Sequence, residues 1–320
     1  MLCMHTEKFG ISSKLQEIIC LLANNSVFSE ATDSLQYLLG IDISAKQIQR
    51  VSEYYGQRLE ELEIDYQESN LKVPLVERQS SKEPVYITMD GSMVYTREEA
   101  WKEIKVGRIY TESSRVTIQE NRTEIMNSLY VSTLGNNKVF LKKLEPYIEP
   151  YNHKVFIADG AKWIWNWVED FYWDSVQILD FYHAIEKLSA YATLAYKDVE
   201  QRRIWLDKQK KLLKEDGVKT VIKELKNITT QTTEISNALN DVIKYYENNI
   251  DRMKYGTFIK KGYIIGSGAI ESAHRNLIQQ RLKLSGQRWS IDGAQRIANL
   301  RAYRKSNRWE NIVQEIKKAA

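Results

Sequence analysis

Three carboxylates in this chain fall where a carboxylate is costly, and whatever fold the sequence adopts has to settle them. Asp90 lies in Val85-Tyr86-Ile87-Thr88-Met89-Asp90-Gly91-Ser92 and Asp159 in Val155-Phe156-Ile157-Ala158-Asp159-Gly160-Ala161. Glu271 follows Gly266-Ser267-Gly268-Ala269-Ile270 on the first turn of an expected helix. An ionised carboxylate beside an apolar run is tolerated when it is paired, hydrogen-bonded or metal-bound. Three of them point to one shared cation site, the pattern of a two-metal phosphoryl-transfer enzyme. Taken singly, Asp90-Gly91 and Asp159-Gly160 also read as turns. Glu271 also reads as an acid favoured by the helix dipole, with Arg275 as its i,i+4 partner. On an ideal helical wheel, however, Glu271 falls between Ile278 and Leu282 in an arc with Ile270, Ala273 and Leu277, where an acid calls for a ligand. His274 and Arg281 share that arc.

With 320 residues and 43% hydrophobic content the chain can fill a substantial core. The net charge is only +4, but from Ser272 to Arg308 Arg275, Arg281, Lys283, Arg288, Arg296, Arg301, Arg304, Lys305 and Arg308 face a single acid, Asp292. That stretch is the expected polyanion-facing surface. Cys3 and Cys20 are too few and too far apart for a structural zinc site. No apolar run reaches membrane-spanning length and no signal peptide is evident, so no membrane partner is expected and the cytosol is the default compartment.

Residues 1–76 read as helical. Ser13-x-x-Gln16 and Ser44-x-x-Gln47 are capping-box patterns, and Ser29 is placed to cap a helix between them, giving three short helices. Phe28 to Gly40, the break at Ile41-Asp42-Ile43 and a helix from Ser44 carrying Lys46, Gln47 and Arg50 fit a helix-turn-helix; a plain packing or dimerisation bundle fits the same residues. The polar stretch Glu77 to Glu83 is the expected boundary. Pro84 to Val94, Trp101 to Thr111 and Leu129 to Leu134 predict an antiparallel meander. Lys154 to Ala158, a helix from Ala161 to about Phe171, and Val176 to Leu179 ending at Asp180 predict a strand-helix-strand unit with parallel strands. Residues 184–260 read as a long, charged helical insertion, and residues 261–320 as the Glu271 helix followed by basic helices.

The expected fold class is therefore α/β: an RNase H-like mixed sheet (residues 84–183) with a helical insertion, preceded by a small all-α region. That order of elements brings two strand aspartates and a helix glutamate together. At this point the chain resembles a known family, the DDE transposases of bacterial insertion sequences, and specifically the ISKra group. The resemblance rests on Met89-Asp90-Gly91, Ile157-Ala158-Asp159-Gly160-Ala161 with Trp163-Ile164-Trp165, Ile178-Leu179-Asp180-Phe181-Tyr182-His183-Ala184, and Gly266-Ser267-Gly268-Ala269-Ile270-Glu271-Ser272-Ala273-His274-Arg275. It continues through Gln279-Gln280-Arg281-Leu282-Lys283 to Trp289 and covers most of residues 84–310.

What the resemblance implies is a transposase that cuts and joins DNA with two Mg²⁺ ions, for which Mn²⁺ can substitute. Cleavage by water and attack by a 3′-hydroxyl are both in-line displacements, and two cations about 3.5 to 4 Å apart stabilise entering and leaving oxygens together. Asp90 is expected to bridge the ions, with Asp159 on one and Glu271 on the other. The implied partners are double-stranded transposon ends and target DNA, with homo-oligomers assembling on DNA. Asp180 and His183 form an Asp-x-x-His pair with an auxiliary role in DDE enzymes that carry helical insertions; a helix cap is the alternative. Arg275, Arg281, Lys283 and Arg288 are expected on phosphates flanking the scissile bond. Trp163, Trp165, Trp167 and Trp173 read as core. Gly266-Ser267-Gly268 lacks a following Gly-Lys-Ser/Thr, so it reads as a flexible entry to the Glu271 helix rather than a phosphate loop. A host nuclease of RNase H or resolvase type, and a truncated or domesticated DNA-binding protein that no longer cuts, fit the same acids.

Overall fold

The computed structural model describes residues 8–68, 83–119 and 122–319. Cys3 and positions 77–82 of the expected boundary lie outside the described residues. The chain is an α/β protein. Three helices, α1 (Ser13–Asn25), α2 (Phe28–Leu39) and α3 (Ala45–Glu68), precede the strands β1 (Val85–Thr96), β2 (Ala100–Thr111), β3 (Arg115–Gln119), β4 (Arg122–Ile125) and β5 (Leu129–Leu134). Then come α4 (Asn137–Ile148), β6 (Lys154–Ala158), α5 (Lys162–Phe171) and β7 (Val176–Leu179). Five helices follow: α6 (Phe181–Ala195), α7 (Val199–Lys214), α8 (Val218–Lys226), α9 (Thr233–Asn248) and α10 (Tyr255–Lys260). The remainder is α11 (Gly268–Ala273), a π-helical segment His274–Gln279, α12 (Gln280–Leu282), α13 (Ile291–Lys305) and α14 (Trp309–Ala319). The chain divides into two compact units, one made of the chain up to Asn152 together with Ile270 onward, the other of His153–Ala269.

In the first unit, the Val, Ile and Tyr content of β1 and β2 selects extended pairing. Both strands run antiparallel over their full lengths, from Val85 opposite Thr111 to Thr96 opposite Ala100. β5 pairs antiparallel with β2, giving the order β5-β2-β1 and the meander expected from the sequence. The short β3–β4 hairpin was not anticipated.

Two of the expected helix starts shift. α1 is capped by Ser12, whose side chain accepts from Leu15 N–H, one residue ahead of the predicted Ser13. α2 starts at Phe28 with no side-chain cap, so Ser29 is inside the helix. Ser44 does cap α3, accepting from Gln47 N–H at 3.2 Å. That helix is not short: it runs 24 residues. It packs on α1, α2, α13 and α14, and buries Ile48, Val51, Tyr55 and Leu59, each worth about 1.5–3 kcal/mol of transfer free energy.

α13 is enclosed on nearly every side, which its polar sequence hides. Its polar side chains are spent on backbone groups. Gln295 accepts from Leu134 N–H at 2.6 Å and donates to Ser132 O at 3.2 Å. Asn299 donates to Gly56 O at 3.1 Å, and Arg301 donates to Leu277 O at 2.6 Å and to the carbonyls of Asn24 and Asn276. Gly56 is required because a Cβ there would run into the Arg296 backbone, so α3 and α13 approach more closely than any side chain would allow.

In the second unit, β6 and β7 are parallel, Val155 opposite Val176 and Ala158 opposite Leu179, as the strand-helix-strand reading requires. Phe156 on β6 packs edge-on against Trp167 of α5 and against Tyr172. Trp165 and Trp167 are core residues, whereas Trp173 is 78% exposed. Residues 184–260, expected to be helical, fall in α6 to α10, with α6 packed on α7 and α9 and Tyr246 O–H donating to Ala184 O at 2.8 Å.

Candidate active site

Asp90 does not sit in a turn. β1 continues through it, with Asp90 opposite Val106 and Gly91 opposite Lys105. The strand therefore presents the carboxylate half-buried from its middle, and Asp90 Oδ1 accepts from Gly91 N–H at 2.7 Å. Oδ2 faces a histidine, His274, whose Nε2 lies 3.5 Å away. His274 is only 5% exposed, and neither ring nitrogen has a hydrogen-bond partner of acceptable geometry. Burial pushes the imidazole down to about 4, against the opposing effect of a loose hydrogen bond with the Asp90 backbone, so the ring is neutral at ordinary pH. The sequence places His274 in the Gly266–Arg275 motif and in the helical-wheel arc but gives it no role at the site.

Glu271 stands three residues before His274, on α11, and is exposed. The apolar arc drawn for it assumed one uniform α-helix through Leu282. Instead the segment His274–Gln279 is π-helical. A π turn inserts an extra residue per turn and slips the register of everything beyond it, so Ile278 and Leu282 face the core while Glu271 faces out.

In the second unit Asp159 directly follows β6. Its Oδ1 accepts from Ala161 N–H at 2.9 Å, and its carbonyl accepts from Trp165 Nε1 at 2.6 Å. Gly160 has no room for a side chain because the Tyr245 ring lies over it. Burial, followed by the charges of Asp159 and Asp180, pushes the Tyr245 phenol up, so it stays protonated.

Asp180 is fully buried and caps α6, accepting from Tyr182 N–H at 3.0 Å and His183 N–H at 3.4 Å. The cap reading therefore holds, but it is incomplete. Asp180 Oδ2 also binds His183 Nδ1, and Ser267 donates twice to the same carboxylate, through N–H at 3.0 Å and through Oγ at 2.5 Å. Burial alone would raise the Asp180 carboxyl; the hydrogen bonds from His183 and Ser267 outweigh it and hold the group below its usual range. The same bond, against the opposing effect of burial, raises His183 to about 9 and makes it an imidazolium at neutral pH. Gly266-Ser267-Gly268 is consequently clamped rather than flexible, with Phe181 N–H donating to Ile265 O at 2.9 Å as a further tie.

The basic run divides sharply. Arg275, Lys283 and Arg288 are exposed, and Lys283 Nζ donates to Ser92 Oγ at 3.2 Å, two residues along β1 from Asp90. Arg281 departs from its expected place on phosphates. It is 1% exposed, its guanidinium lies between Phe28 and Trp289 with both ring centroids 4.9 Å away, and Nε donates to Ala23 O at 2.9 Å. Arg301 and Arg308 are buried as well. The polyanion-facing surface is thus smaller than the run of charges suggested. At the start of α3, Lys46 and Arg50 are exposed and Gln47 half-buried, with Arg50 resting over Phe9 at 5.1 Å. These lie on the first turns of α3, on either side of buried Ile48.

Each unit thus carries part of the predicted set: Asp90, beside His274, and Glu271 in the first, and Asp159, Asp180 and His183, the last two tied to Ser267, in the second. Among the described residues, neither unit gathers three or more His, Cys, Asp or Glu side chains as a ready-made metal cluster. No helix among them is long and apolar enough to cross a membrane. The chain matches no protein-family model and no curated protein sequence.

Proposed function

We propose that the chain is a metal-dependent DNA transposase of the DDE type with an RNase H-like catalytic domain. The observation that carries this reading is the element on which each acid stands. Asp90 is in the first strand of an antiparallel meander, Asp159 ends the first strand of a parallel pair, and Glu271 is on a late helix. The donor set fits hard divalent cations: all three are carboxylates, and in Asp90 and Asp159 a backbone amide fixes one oxygen and so orients the other. Two Mg²⁺ ions held by Asp90, Asp159 and Glu271 would stabilise charge on the entering and leaving oxygens of an in-line displacement at phosphorus.

The remaining residues bind and orient the strand. Arg275, Lys283 and Arg288 offer exposed cations for phosphates, and Arg288 shares with Arg97, Gln49, Phe28 and Trp289 a cleft of about 150 Å³. The imidazolium of His183, held by the buried Asp180 carboxylate in a pair of no net charge, offers a fixed Nε2–H donor in the unit that carries Asp159. The test is cleavage and strand transfer on linear DNA bearing the element's ends, with Mg²⁺ or Mn²⁺. Asp90→Asn, Asp159→Asn and Glu271→Gln keep volume but remove the charge the metals need, and each is expected to reduce turnover to background. Undiminished cleavage by any one of them removes that residue from the site.

A further inference from the structure

A buried imidazole whose nitrogens make no hydrogen bond of good geometry carries a cost, since an unsatisfied buried polar group loses about 1–3 kcal/mol. His274 is in that position, 5% exposed within the first unit, its ring reaching only the backbone and the carboxylate of Asp90, both loosely. Its Nε2 approaches Asp90 Oδ2 at 3.5 Å. That separation is too long for a good hydrogen bond. It is, however, the spacing of two ligand atoms on one cation: with bonds of roughly 2.1 Å at angles between a right angle and the tetrahedral value, neighbouring ligands lie about 3 to 3.5 Å apart. Asp90 Oδ1 is already fixed by the Gly91 amide, so Oδ2 is the oxygen presented on that side. The π-helical segment begins at His274 itself. Such segments recur at functional sites because they re-aim a side chain at a cost in helix geometry.

We infer that His274 is a nitrogen ligand to the cation held by Asp90. The site is then a mixed imidazole–carboxylate site, which favours Mn²⁺ over Mg²⁺ because Mg²⁺ prefers an all-oxygen shell while imidazole nitrogen binds the first-row transition ions better. The inference rests on Asp90 being a metal ligand, the reading proposed above, and supplies a donor that the three carboxylates do not. Lys283, anchored to Ser92, is the cation whose charge acts on His274, while Arg275 beside it in sequence and Glu271 three residues upstream are exposed. None of them replaces the nitrogen.

The experiment is Mn²⁺ binding to the full chain, followed by calorimetry and by electron spin echo modulation of the bound ion. The wild type is expected to show ¹⁴N coupling from a directly bound imidazole, converted to ¹⁵N coupling when the protein is labelled with ¹⁵N-histidine. His274→Gln is expected to abolish that coupling and to weaken Mn²⁺ binding about tenfold or more, with a smaller change for Mg²⁺. His274→Asn gives the same comparison should the glutamine variant not fold. Mn²⁺ bound in an Asp90-dependent manner without nitrogen coupling overturns the inference and leaves the carboxylate reading standing. Binding that Asp90→Asn does not affect overturns both.

Discussion

Replacing His183 should cost stability in a pH-dependent way that can be worked from the structure. The Asp180 carboxylate raises the imidazole from an ordinary 6.5 to about 9. At about 1.36 kcal/mol per pKa unit that corresponds to about 3 kcal/mol, which we reduce to about 2 because 30% of the side chain is open to water. The folded-state value lies above the unfolded one, so this stabilisation is complete below pH 6.5 and is lost as the pH rises through 9. His274 shifts the other way and is neutral across that window. Hydrogen exchange on peptides spanning α6 should therefore show the wild type losing about 2 kcal/mol of protection between pH 6.5 and 9, and His183→Gln starting lower by that amount and staying flat. With only four histidines in the chain, the His183 titration can also be followed directly by NMR. An imidazole that titrates near 6.5, or a His183→Gln variant whose protection falls with pH as the wild type's does, refutes the reasoning.

Arg281 and Arg288 should separate cleanly. Arg288→Ala is expected to weaken DNA binding and lower the salt slope by about one. Arg281→Ala should instead destabilise the first unit by roughly 3 kcal/mol, through lost packing between Phe28 and Trp289, in urea denaturation; full stability in Arg281→Ala returns that arginine to the surface. For the N-terminal helices, Gln47→Ala with Arg50→Ala in the full chain is expected to reduce preference for the element's ends more than total affinity, by about 1–3 kcal/mol of discrimination, measured against random DNA. The full chain is needed because a fragment ending near residue 75 would uncover the face of α3 that α13 covers. Equal loss on both DNAs would make α3 a packing helix alone.

The strands of the meander and of the parallel pair were legible to within two residues, unlike the β3–β4 hairpin, because β6 and β7 are short apolar runs ending in aspartate and β1 and β2 are rich in Val, Ile and Tyr. Their positions needed no tertiary information. Asp180 as a cap was legible for the same reason, since its partners are two and three residues away. Its clamp on Ser267 was not, because nothing local announces a hydrogen bond that spans 87 residues. α13 concealed its burial behind Gln295, Asn299 and Arg301, polar residues whose partners are backbone groups far away in sequence. The π-helical turn left no side-chain pattern at all, and with it went the orientation of Glu271 and the meaning of His274.

The first unit is interrupted in sequence by the second. Its strand β5 waits for Gln295 to satisfy the Leu134 amide, and α3 waits for Asn299 and the close approach at Gly56; all of these partners are synthesised only after residues 153–269 have emerged. The second unit is one continuous stretch that can mature on the ribosome as soon as it clears the exit tunnel, whereas the first must hold its meander and helices open through that whole interval. A chain stopped before Ile270 would therefore release a second unit whose sequence is complete joined to a first unit that lacks its C-terminal helices. The apolar face of α3 and the unmet amide of Leu134 would then be a signal for chaperone capture or degradation.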